Sequence, residues 1–141
     1  MQVKVEYSEL QSLVRQKTGR EIVLSAVDGR TVRVEAKVKV PLLGEMEKNI
    51  GMNVSVEQIE GNDVRLKYDG GIGTDMLVGA LLTFLASDPE AAKMMEKTPG
   101  NGIVVHLDEI KEARKVLEVV ELTDIVVQDN AVDIEGKFKV R

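Results

Sequence analysis

Residues 66–86 read LKYDGGIGTDMLVGALLTFLA. The stretch divides into a strand, a Gly-rich turn and a helix that is apolar almost all round. From Met76 to Ala86 the only polar side chain is Thr83. A helix with no wet face is normally buried by its own protein. Crossing a bilayer takes about 20 apolar residues, and this helix is too short for that. The sheets on either side of it in the chain are therefore expected to close over it.

Working outward, Met52, Val54 and Val56 keep strand spacing up to a turn at Gly61-Asn62-Asp63, and Val64, Leu66 and Tyr68 return. Residues 41–51, PLLGEMEKNIG, read as a loop. Upstream, Ile22, Leu24 and Ala26 alternate to Asp28-Gly29, a strong hairpin signal. Val32, Val34, Ala36, Val38 and Val40 return, with Arg33, Glu35, Lys37 and Lys39 between them, which predicts one dry and one wet face. At the N-terminus, Val3, Val5 and Tyr7 form a strand. Ser8 with Gln11 then suggests a capping box, and Gly19 a helix end.

Downstream of the apolar helix, Ser87-Asp88-Pro89-Glu90 starts another helix, expected to run to Thr98 with Ala91, Met94 and Met95 on its apolar side. Ile103–Leu107 reads as a strand, and Asp108 as the cap of a helix over Glu109–Val120. Leu122–Val127, a turn at Asp129-Asn130 and the alternation Val132, Ile134, Gly136, Phe138, Val140 complete the chain.

The two ends share this order of strand, helix, strand, turn and strand. At an offset of 100 residues, positions 3–40 lie over 103–140 without a gap, and nine of the 38 pairs are identical. They include Glu9 with Glu109, Glu21 with Glu121 and Val32 with Val132. A single domain over residues 1–141 is expected, with a repeated unit at each end and residues 41–102 between them. The fold class is α+β, a curved antiparallel sheet of about seven strands around the apolar helix.

Composition narrows the chemistry. Hydrophobic residues make up 43% of 141, enough for a core, but aromatics only 3%, so the core is aliphatic and Met-containing. A net charge of −5 and the shortage of aromatics argue against nucleic acid. There is no cysteine, which excludes disulfides and thiolate chemistry. No stretch of about 18 apolar residues is present, so no transmembrane segment is expected. MQVKVEYSEL lacks the apolar centre of a signal peptide, which slightly favours the cytoplasm. An exported mature domain is the alternative.

Candidate sites are few. Asp69–Asp75 is the one Gly-rich loop before a helix, but it has no Walker lysine and two carboxylates that repel phosphate. A tight turn capped by Thr74 or Asp75 is the simpler reading. His106 is the sole histidine, and no spacing pairs it with a nucleophile or further metal ligands. Glu57, Glu60, Asp63 and Asp69 read as a solvated acidic surface. Arg33, Lys37, Lys39, Lys137 and Lys139 read as the outer face of a sheet. No catalytic residue, metal or cofactor is expected.

The apolar set is the most suggestive: Met46, Ile50, Met52, Met76, Leu77, Ala80, Leu81, Phe84, Leu85, Met94 and Met95. If the core is incomplete, these line a groove for a lipid or other apolar small molecule. If it is complete, the same surface serves a structural subunit or a homodimer. The element order and the helix at 74–86 resemble the small bacterial domains of the tubular lipid-binding (TULIP) type. That resemblance implies a curved antiparallel sheet wrapped round a long helix, an apolar tunnel, and no fixed catalytic residues.

Overall fold

A computed structural model describes residues 1–39, 47–70, 74–87, 89 and 91–139. The architecture is α+β and mostly antiparallel sheet. Among the described residues nine strands form two sheets, rather than about seven in one. The smaller sheet has the order β1 (Gln2–Glu6), β9 (Ala131–Phe138), β8 (Val120–Val127). The larger has the order β2 (Ile22–Asp28), β3 (Thr31–Lys39), β4 (Glu47–Glu60), β5 (Asp63–Gly70), β7 (Gly102–His106), β6 (Met95–Thr98). Three helices accompany them: α1 (Tyr7–Thr18), α2 (Thr74–Ala86) and α3 (Lys111–Leu117).

Alternation organises the larger sheet. Cross-strand partners share a face, so the register gives rows: Ile22–Ala36–Ile50, Leu24–Val34–Met52, and Ala26–Val32–Val54–Tyr68. The rows continue through Val64, Leu66, Ile103 and Val105 to Met95. This inner face is apolar up to Lys97, whose ammonium lies 5.8 Å from the centre of the Tyr68 ring. The core sits where α2 meets it. Met52, Tyr68, Val78 and Ile103 are buried together, with Val34, Val54, Leu66, Leu82, Met95 and Val105 packed round them.

Helix α2 forms where expected, but the sheets do not close over it. Thr74 and Val78 are buried, whereas Gly79, Thr83 and Ala86 are exposed. A helix laid on one face of a sheet is covered along one side only, and Thr83 satisfies its hydroxyl on the Gly79 carbonyl at 2.9 Å. The entry to α2 is fixed by two contacts. Tyr68 donates its hydroxyl to Asp75 at 3.1 Å. Gly70 leaves room for the Thr74 hydroxyl, and a Cβ there would also meet the Gly51 carbonyl oxygen at 2.9 Å.

Several boundaries differ from expectation. Helix α1 begins two residues early, with Glu6 rather than Ser8 as its cap: the Glu6 backbone N–H donates to the Glu9 carboxylate at 3.3 Å, not to Gln11. Gln11 instead accepts the backbone N–H of Leu24 at 2.9 Å, so α1 covers the free edge of β2. Gly19 ends the helix at φ 71°, as its position predicts. Residues 47–51 extend β4 rather than forming a loop, because they pair with 35–39 of β3. Residues 40–46 lie outside the described residues.

The largest departure follows α2. Where a helix to Thr98 is expected, there is a single 3-10 turn at Ala91–Lys93 and then β6. The cause is the Pro99-Gly100-Asn101 reversal. Gly100 and Asn101 take φ of 76° and 63° and fold 95–98 back onto β7. Helix α3 is also shorter than expected. Asp108 lies within a 3-10 turn, Leu107–Glu109, rather than capping the helix.

The two chain ends share their element order, and β1 and β7 coincide at the offset of 100 residues. Their pairing differs, since β1 borders β9 while β7 lies between β5 and β6. The sheets meet at the β2–β3 turn, where Val127 donates to the Gly29 carbonyl and Val56 to that of Arg30, both at 2.9 Å.

Candidate functional site

The expected ligand-binding residues divide into three groups. Met52 is buried in the core, and Met94 and Met95 are half-buried at the β6 edge. Met76, Leu77, Ala80, Leu81, Phe84 and Leu85 lie on α2, with side chains outside those described. Met46 is outside the described residues altogether. Ile50 is buried on β4.

Around them the inner face changes character along the sheet. Toward β7 it is covered by α2. Toward β2 its side chains keep partial exposure: Ile22, Leu24, Ala26, Val32, Val34, Ala36 and Val54 are all half-buried. Their alternating charged neighbours Arg33, Glu35 and Lys37 face the other way, exposed. An apolar surface two strands wide, on β2 and β3, is therefore incompletely covered by the described residues.

A polar cleft lies at the other end of the sheet. It encloses about 530 Å³ and is lined by Asp63, Lys93, Met95, Glu96, His106 and Asp108 among others. His106 ends β7 and stands directly across from Asp63, the first residue of β5. Its Nδ1 lies 2.7 Å from an Asp63 carboxylate oxygen, and its Nε2 lies 3.4 Å from one of Glu96 on β6. The Asp63 hydrogen bond holds the imidazole above its ordinary titration range. Partial burial opposes this, and Glu96 adds to it.

Both ring nitrogens thus face carboxylates. The lining holds no serine or cysteine. No group of three or more potential metal ligands forms among the described residues.

Other sequence candidates disperse. Gly71, Ile72 and Gly73 lie outside the described residues, and Thr74 starts α2 rather than preceding it. Of the acidic set, Glu60 pairs with Arg65 at 3.3 Å and Asp63 with His106. Glu57 lines a second cleft of about 340 Å³ beside Arg30 and Asp124, and Asp69 is exposed near the far end of β5. The basic set is split between the sheets. Arg33 pairs with Glu35 on β3 at 2.9 Å, and Lys137 with Glu121 on the smaller sheet at 3.7 Å. The residue that sequence reading missed is Asp133. It is buried on β9, and one of its carboxylate oxygens has no hydrogen-bond partner among the described residues.

No family model, no curated protein and no solved structure matches the chain. Function is therefore read from the geometry alone. No helix among the described residues is long and apolar enough to cross a membrane.

Proposed function

We propose that this protein is a non-enzymatic binding domain for a lipid or similar apolar small molecule, held on the inner face of the larger sheet beside α2. One observation carries the reading: the cross-strand rows on β2 and β3 are apolar, contiguous and only half covered by the described residues. Apolar area left in water is unfavourable by about 25 cal/mol per Å², so a ligand that covers it gains affinity without specific polar contacts. Met52, across from Val34 on β3, borders it with a flexible side chain. The occupied ring nitrogens of His106 count against an acid–base enzyme.

The test is native mass spectrometry of the purified protein, with solvent extraction of what it carries. A monomer with a co-purifying apolar adduct supports the reading. Displacement of a fluorescent fatty-acid probe by an unlabelled fatty acid, weakened in Val34→Asp, supports it further. A clean monomer that binds no probe overturns it.

A second reading rests on the smaller sheet. Phe138 is 66% exposed, and Val3, half exposed, lies on the same face of that sheet. A second copy seated there buries both. A clean dimer without adduct, broken by Phe138→Ser, favours this subunit reading.

A further inference from the structure

We propose that His106 is a proton-operated latch that holds the edge strand β6 to the larger sheet over the core that α2 covers. The latch does not rest on the binding function above.

Strand β6 has four residues, is paired on one side only, and forms the edge of its sheet. Short edge strands open at low cost. Its inner face carries Met95, which packs against the core cluster with Leu82 of α2 and Val105. Its outer face carries Glu96, whose carboxylate meets His106 Nε2. The His106 backbone N–H also donates to the Met94 carbonyl at 2.8 Å. One residue thus ties the outer side of the strand whose inner side packs on the buried core.

The protonation chemistry is asymmetric. In the imidazolium both nitrogens are donors, so Asp63 and Glu96 are both satisfied. In the neutral ring one nitrogen keeps the proton. The shorter Asp63 contact, 2.7 Å against 3.4 Å, retains it at Nδ1. Nε2 then turns a lone pair toward the Glu96 carboxylate, and the contact becomes repulsive. Losing one proton therefore leaves β5 attached and removes the side-chain tie to β6, which is then held by its backbone pairing with β7 alone.

The surrounding charges are named by element. Asp63 faces the ring from β5 and Glu96 from β6. Asp108 and Glu109 line the same cleft from the turn after β7, and Lys93 from the turn before β6. Arg65, near Asp63 on β5, is engaged with Glu60. The acids outnumber the one lysine and favour the charged ring, in agreement with its raised titration range.

The experiment is hydrogen–deuterium exchange of the Met94–Thr98 segment without ligand, across the titration of His106 followed by NMR, with rates corrected for the intrinsic effect of pH. The wild-type segment is expected to exchange several-fold faster above the transition than below it, and His106→Gln to lose that dependence. Glu96→Gln, whose amide can donate to the neutral ring, should keep β6 protected at both ends and serves if the first variant fails to fold. Wild-type protection that stays constant through the titration overturns the latch, as does an unchanged pH dependence in both variants.

Discussion

The two halves of the larger sheet have the same inner pattern and different fates. From β4 through β5 and β7 to β6, the apolar rows are covered by α2 and include Met52, Tyr68 and Ile103, all buried. From β2 to β3 the alternation is as clean, yet none of Ile22, Leu24, Ala26, Val32, Val34 or Ala36 is fully buried. Alternation therefore states which face is dry and says nothing of what covers it. The covered half is where stability should be concentrated, and the open half is free to serve a ligand.

Matched substitutions test this contrast. Tyr68 is 1% exposed and joins the sheet to α2 through Asp75. Tyr68→Ala removes a buried ring and a hydrogen bond, and should cost about 3–5 kcal/mol, read as a lower denaturation midpoint in urea. Leu24→Ala in the open half removes an aliphatic side chain already part-solvated and should cost about 1 kcal/mol. Equal losses would mean that the open half is covered as well, and would remove the basis for a ligand there.

The next effect tests the junction rather than the core. Gly70→Ala places a methyl against the Thr74 hydroxyl and the Gly51 carbonyl. The backbone oxygen cannot swing away as a side chain can, so a loss of about 1–3 kcal/mol is expected. Gly19→Ala makes the same point more weakly. At φ 71° with open space round it, the cost is conformational only, about 1 kcal/mol.

The sequence carried the open half better than the closed one, for a physical reason. In β2 and β3 one period places Ile22, Leu24, Ala26, Val32, Val34 and Ala36 on one face, on either side of the Asp28-Gly29 turn. At residues 87–98 two signals compete. Ser87-Asp88-Pro89 and the Met94-Met95 doublet suit a helix, while Met95/Lys97 alternation suits a strand, and the long-range pairing with β7 decides. The Asp63–His106 contact spans 43 residues. It depends on β5 and β7 being neighbours although α2 and β6 intervene in the chain, which no local pattern encodes. The one available hint is positional: an Asp opening a strand after the Gly61 turn, and a His closing another. Asp133 was hidden in the same way, because its burial follows from the assembly of the smaller sheet and not from its alternation.

The finest test concerns the two edges. The open half ends at β2, whose Leu24 N–H is held by the uncharged amide of Gln11. The closed half ends at β6, held by His106. Gln11→Ala should therefore cost about 1 kcal/mol with no new pH dependence near neutrality. The β6 edge should behave otherwise. The titration range of His106 is raised in the folded protein, chiefly by the Asp63 hydrogen bond, so the native state binds its proton more tightly than the unfolded chain does. The resulting stability is fully present below the unfolded value of about 6.5 and is lost as pH rises through the folded value. Urea midpoints taken from pH 5.5 to pH 9 should thus fall with rising pH in the wild type and in Gln11→Ala. In His106→Gln that part of the slope should disappear. A slope that survives the His106 substitution would assign the dependence to other groups and leave the two edges chemically alike.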